Sequence, residues 1–162
     1  MRHRSALPFL LILAAALPGC SNTPTVPTGI TRSLLTLAID PNPVPVTNST
    51  TSIGLHTVKY KIVVKETAGL GGEFVHINST VFDETTGASM GINNYDAADL
   101  IVFVGSKRLE GSKSVEIQQQ IDFVLPKDFK GGRIAVAVQF RDDRANLQTQ
   151  SLLVVATAPT AP

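Results

Sequence analysis

Apolar residues recur at every second position through much of this sequence, and only an extended strand collects residues so spaced on one face. From Val115 to Leu125 the odd positions are Val, Ile, Gln, Ile, Phe and Leu, while the even positions are Glu, Gln, Gln, Asp and Val. The spacing predicts a half-buried strand with Gln119 as the polar residue on its inner face. From Arg133 to Phe140 the even positions are Ile, Val, Val and Phe. Val58, Tyr60, Ile62 and Val64 alternate with Lys59, Lys61, Val63 and Lys65. Leu35–Ile39, Phe74–Phe82, Leu100–Val104 and Leu147–Ala156 read as further strands. The inner face changes parity within Phe74–Phe82, which predicts a bulge near Asn78–Ser79. Pro43 and Pro45 donate no ladder hydrogen bond, so Val44–Val46 is expected at a sheet edge. Beyond the N-terminal segment no helical stripe is sustained, and no helix is expected. Turn residues at Asp83–Gly87, Pro126–Gly132 and Arg141–Asn146 separate the strands. The expectation is an all-β fold: a single antiparallel β-sandwich of about seven to eight strands.

The first twenty residues follow another pattern. Arg2, His3 and Arg4 precede an unbroken apolar run, Leu7–Leu17. A helix of eleven residues rises about 16 Å, roughly half of a ~30 Å hydrocarbon core. The run fits a secretory signal peptide rather than a membrane span. The chain's one cysteine, Cys20, closes this pattern in the sequence Leu17-Pro18-Gly19-Cys20. These residues resemble the lipobox of bacterial lipoproteins, with Pro18 in place of the usual small residue. The resemblance implies a cleaved segment 1–19, lipidation of Cys20, and residence in the cell envelope. Ser21, not Asp, follows the cysteine, which by the same resemblance implies the outer membrane.

Segment 20–32 is rich in Ser, Thr, Pro and Gly and reads as a flexible tether with a potential reach of about 37 Å. Residues 33–156 form the candidate domain, and 157–162 (TAPTAP after Ala156) a short flexible tail. Without residues 1–19 the chain carries 12 basic and 13 acidic side chains. No polybasic run or amphipathic helix is apparent, so the lipid alone is expected to provide attachment.

In strand pattern, residues 33–156 resemble bacterial immunoglobulin-like and fibronectin type III-like domains, above all in Val115–Leu125, Arg133–Asp142 and Leu147–Val155. The resemblance implies an immunoglobulin-like sandwich; a small barrel or jelly roll is the alternative. With one Cys and no Trp in the chain, the paired cysteines and core Trp of antibody-type domains are absent. The core is then expected to be aliphatic with Phe.

A search for chemistry yields little. The chain has no G-x-S-x-G elbow, and after processing only His56 and His76 remain as histidines, both on expected strands. Gly69, Gly71 and Gly72 are followed by neither the Lys-Ser/Thr pair nor the helix that a phosphate cradle needs. Lys59, Lys61 and Lys65 share one strand face, which reads as a solvated surface rather than a nucleic-acid site. Asp142, Asp143 and Asn146, in a hairpin loop, are weak candidates for calcium, and Asp83-Glu84 and Asn93–Asp96 are polar in the same way. The same residue types are ordinary turn formers. Sugar platforms usually expose Trp and Tyr, and only Tyr60 and Tyr95 are available.

The expectation is therefore a non-catalytic envelope lipoprotein. It would be held to the membrane by its lipid and would present its domain to a protein or cell-wall partner, without cofactor or nucleic acid. A sugar- or calcium-binding accessory module, using loops at one end of the sandwich, is the alternative.

Overall fold

A computed structural model describes residues 29–159 of the chain. The signal segment, Cys20, most of the tether and the last three residues lie outside the described residues. The fold is mostly β, a mixed sheet of nine strands that does not close. In chain order the elements are β1 (Leu35–Asp40), β2 (Val44–Asn48), β3 (His56–Glu66), β4 (Gly72–Asp83), β5 (Ser89–Asp96), α1 (Ala97–Val104), β6 (Arg108–Leu109), β7 (Ser114–Phe123), β8 (Gly131–Asp142) and β9 (Leu147–Thr157).

Two antiparallel stretches make up the sheet. In the first, β3 pairs with β7 from His56↔Phe123 to Lys65↔Ser114. On its other side β3 receives β1 from Leu35↔Glu66 to Asp40↔Lys61, and then β2 at Val46↔Val58. In the second, β9, β8, β4 and β5 lie side by side, with β6 on the start of β4. The link is β2, whose Val44 and Pro45 pair parallel with Ala156 and Thr157 of β9. β2 thus has a neighbour on each side at different residues, and the sheet is mixed rather than purely antiparallel. Val44–Val46 is not the simple edge that its prolines suggest: Pro43 precedes the strand, and Pro45 falls where β2 passes from one partner to the other.

The alternating residues face one another across the interior. Val58, Tyr60, Ile62 and Val64 of β3, Ile117, Gln119, Ile121 and Phe123 of β7, and Ile134, Val136, Val138 and Phe140 of β8 are all buried. Phe74 and Phe140 meet edge to face at 5.4 Å between ring centres, a favoured aromatic geometry. Each buried aliphatic or Phe side chain contributes about 1.5–3 kcal/mol of transfer free energy. Close approach fixes some positions. A Cβ on Gly72 would overlap the Arg141 carbonyl of β8, and one on Gly91 of β5 would stand 2.7 Å from Ile121 Cγ2 of β7.

Further expectations are corrected. Leu100–Val104 is not a strand but the body of α1. Its run of β-branched and aromatic residues reads as extended, yet the flanking residues decide otherwise. Asp96 Oδ1 accepts the backbone N–H groups of Ala98 and Asp99, at 2.7 and 3.0 Å, and Asp99 Oδ2 accepts the Asp96 N–H at 3.0 Å. This reciprocal capping box starts the helix, and Gly105, with φ of 82°, ends it in the left-handed region. Secondly, the irregularity of β4 lies at Val75, where the register against β8 shifts between Phe74 and His76, with another against β5 between Val81 and Phe82. From Ile77 onward the odd residues Ile77, Ser79 and Val81 face inward. Thirdly, Thr31 and Arg32 are not part of a loose tether, because the Thr31 carbonyl accepts Asn146 Nδ2–H at 2.9 Å. At the other terminus β9 runs one residue past Ala156, to Thr157.

Candidate functional site

At one end of the fold the segment 29–34 meets the loops 67–71, 110–113 and 143–146. Two buried carboxylates organise this end. Glu66 Oε1 accepts the backbone N–H groups of Leu34 and Ala68, at 3.1 and 2.8 Å. Its Oε2 accepts those of Gly69 and Ser112, at 2.7 and 2.8 Å. Burial alone would push this carboxyl up, but the four N–H donors outweigh it and hold it below the usual carboxylate range. Asp142 repeats the arrangement. Oδ2 accepts the Ser33 N–H and Asn146 Nδ2–H, both at 3.0 Å, and Oδ1 accepts the N–H groups of Arg144 and Asn146, both at 2.9 Å. Against the upward push of burial, the Asn146 side chain and the backbone donors hold Asp142 low.

The candidate cation ligands thus meet, but not as a cation site. Asp142 is committed to N–H donors, and Asn146 turns its own donor toward Asp142 and Thr31. Asp143 Oδ1 and Oδ2 accept from Arg108 Nη1 and Nη2, at 2.8 and 2.9 Å, while Arg108 Nε donates to Glu110 at 2.6 Å. Arg108 keeps Asp143 low, and the two carboxylates raise the guanidinium further above its ordinary value. Among the described residues no group of three His, Cys, Asp or Glu is spaced to hold a metal ion. Asp83 closes its turn by accepting the N–H groups of Thr85 and Thr86, and Glu84 pairs with Arg133 at 2.9 Å. Glu66 and Arg108 also reach partners 32 to 46 residues away (Leu34 and Ser112 for Glu66, Asp143 for Arg108), and no local window shows those.

The histidines are not brought together. His56 opens β3 opposite Asn48 and Phe123, while His76 lies in β4 opposite Gln139 and Asp96. On the lysine face, Lys61 pairs with Asp40 and Glu116, each at 3.2 Å.

A neutral polar cluster lies inside the fold. Tyr60 stands opposite Gln119 on the β3–β7 pair, and Ser79 opposite Asn93 on the β4–β5 pair. Asn93 Nδ2–H bridges the two stretches, donating to Gln119 Oε1 at 3.1 Å and to the Tyr95 hydroxyl at 2.9 Å. The Tyr60 hydroxyl, Ser79 Oγ and Gln119 Nε2 are buried with no hydrogen-bond partner. Burial pushes the Tyr60 phenol up to about 12. Beside this cluster a depression of about 240 Å³ opens between Lys59, Tyr95, Gln118, Gln119 and Gln120. Its uncharged amides and phenol can hydrogen-bond a neutral polar molecule.

The third feature is the outer surface of β5, β4, β8 and β9. Their register places Ile92, Thr80, Ala135 and Leu153 on one rung. Ile92 and Leu153 are more than half exposed, and Val155 on the next rung is nearly so. The small Ala135 and Ala137 leave a shallow dish of about 290 Å³, bordered by Asn78, Ser151 and Leu153.

No family model matches the chain, and no curated protein matches it. Solved structures do. A Bordetella pertussis protein described as ApaA superposes with a TM-score of 0.58 at 9% identity, over 80% of this chain and 97% of that one. The X-ray structure of the structural-genomics target SoR45 superposes with a TM-score of 0.53 at 8% identity, over 76% of this chain and 86% of that one. At such identities the likeness is one of fold alone.

Proposed function

We propose that the chain is a non-catalytic lipoprotein of the bacterial envelope, anchored through Cys20 and probing its surroundings with an immunoglobulin-like sandwich. The pairing order supports the sandwich topology. The first strand segments divide between β3 and β9, β3 pairs with β7, and β9, β8, β4 and β5 form the facing layer. The N-terminal pattern ending at Leu17-Pro18-Gly19-Cys20 supports the anchor, and Ser21 supports outer-membrane sorting.

The observation that carries the binding role is the exposure of Ile92 and Leu153 at the two ends of one rung, with Val155 beside Leu153, on the outer sheet face. Exposed apolar side chains gathered on one face commonly mark a protein contact. A photo-reactive residue at Leu153 should trap the same envelope protein as one at Ile92, and Leu153→Glu should abolish the adduct. A probe at Gln118, on the other stretch of the sheet, should not form it. Identical trapping from Gln118 would reject the reading. Mass spectrometry of the N-terminal peptide from envelope-purified protein tests the anchor, and an unmodified Cys20 thiol would remove it.

A second reading, a sugar-binding accessory, draws support from the polar depression at Tyr95 and Gln119 rather than from the loops. Calorimetry with a glycan panel checks it: no heat, and no rise in melting temperature, would discard it. The calcium version is not retained, because Asp142 and Asp143 already face N–H donors.

A further inference from the structure

We infer that the end of the fold carrying segment 29–34 docks directly on an anionic lipid surface, with the exposed side of α1 entering the interface. The inference rests on the reading that Cys20 is the point of attachment, and it replaces the expectation that the lipid acts alone. Several observations converge on this end. Cys20 precedes Gly29 by nine residues, so even a fully extended chain holds the fold within about 32 Å of the attached residue. The chain then enters the fold at Thr31–Ser33, fastened by Asn146 and Asp142.

α1 lies beside this end: its N-cap Asp96 stands opposite His76 of β4, and Phe103 packs on Tyr95 at 5.2 Å between ring centres. In α1, Ile101, Val102 and Phe103 are 50, 77 and 65% exposed, although Leu100 beside them is fully buried. From α1 the chain passes directly to Lys107 and Arg108, which join the start of β4 at this same end. Leu34 and Leu147, both more than half exposed, flank the entry point. A folded domain gains nothing in water from such exposure, whereas insertion to the depth of the acyl boundary removes it from water.

Charge complements the apolar residues. Arg32, Lys65, Lys113, Arg141 and Arg144 belong to this end and make no ion pair among the described residues. The carboxylates there keep their charge but are held by the fold: Glu66 and Asp142 by backbone N–H groups, Asp96 and Asp99 in the α1 capping box, Glu73 by Lys107, and Glu110 and Asp143 by Arg108, which leaves the cations as the unpaired charged side chains. The sequence hid this arrangement because the cations come from four separate segments and the helix is only eight residues long. The fold collects what no local window contains.

The chain has no Trp, so a single introduced one reports without background. A chain beginning at Cys20 keeps every described residue. Its only thiol is coupled to a maleimide phospholipid in vesicles of phosphatidylethanolamine and phosphatidylglycerol containing brominated lipid. The Phe103→Trp reporter should lose about half its emission or more, as expected for a side chain at the acyl boundary. Ile53→Trp, in the β2–β3 loop at the opposite end, should keep nearly all of it. Adding Val102→Asp to the Phe103→Trp protein should restore most of the lost emission. Equal quenching of the two reporters, or none at position 103, overturns the inference. Chemical coupling makes this outcome independent of acylation in the cell, which the mass spectrum of Cys20 decides separately.

Discussion

The Asp142 carboxylate accepts the backbone N–H of Ser33 at 3.0 Å, joining positions 109 residues apart. The bond makes the entry point of the chain part of the loop between β8 and β9. Asp142→Ala would leave the N–H groups of Ser33, Arg144 and Asn146 without their acceptor in a buried setting. A loss of about 2–4 kcal/mol of unfolding free energy is expected. Urea titration of the wild type and variant measures it, and a loss below about 0.5 kcal/mol would contradict the role.

Glu66 and Asp142 also predict an acid sensitivity. Both carboxyls are held below their ordinary range in the folded chain. Their contribution is therefore present above the unfolded-state values near pH 4 and is lost as pH falls through the lower folded-state values. The melting temperature should stay level from neutral pH to about pH 5 and fall below about pH 4. In Glu66→Gln with Asp142→Asn the acid fall should be shallower, although the variant is less stable at pH 7.

The buried Tyr60 hydroxyl has no partner, so Tyr60→Phe removes a desolvated polar group at little packing cost. Stability should be unchanged, or rise by up to about 1 kcal/mol. Ultraviolet titration gives a second check. The wild type should show a phenol that ionises only at about pH 12, and Tyr60→Phe should lack that step.

The capping box of α1 should be separable from the core. Asp96→Ala removes the acceptor for the Ala98 and Asp99 N–H groups and should cost about 1 kcal/mol. Hydrogen exchange should accelerate across residues 98–104 and stay unchanged in β8. Uniform acceleration through the sheet would show that α1 is not an independent unit.

The strands whose apolar residues alternate without interruption were legible in the sequence. Ile117, Ile121 and Phe123, Ile134 to Phe140, and Val58 to Val64 all turn their expected faces inward, and Gln119 is the inward polar residue foreseen. Leu100–Val104 misled because β-branched composition and strand propensity coincide over five residues, while the deciding Asp96, Asp99 and Gly105 lie outside that window. In β4 the misplacement has a similar origin. Ser79 occupies an inward position where an apolar residue was expected, and its polarity disguised the true parity. The position of Val44 between β3 and β9 depends on strands far along the chain, which no local pattern encodes. At the candidate site Asp142, Asp143 and Asn146 share the hairpin between β8 and β9. Their chemistry was decided by Ser33 and Arg108, which the sequence places far from them.

The two-sided pairing of β2 has a mechanical consequence. Val44 and Pro45 run in the same direction as Ala156 and Thr157, so a pull between the N-terminal side of the chain and its last strand loads these rungs along the strand axis. Rungs strained lengthwise share the force and yield together, whereas those of a hairpin pulled open yield in succession. A domain held at its N-terminus and gripped through β9 would carry traction across that small parallel seam.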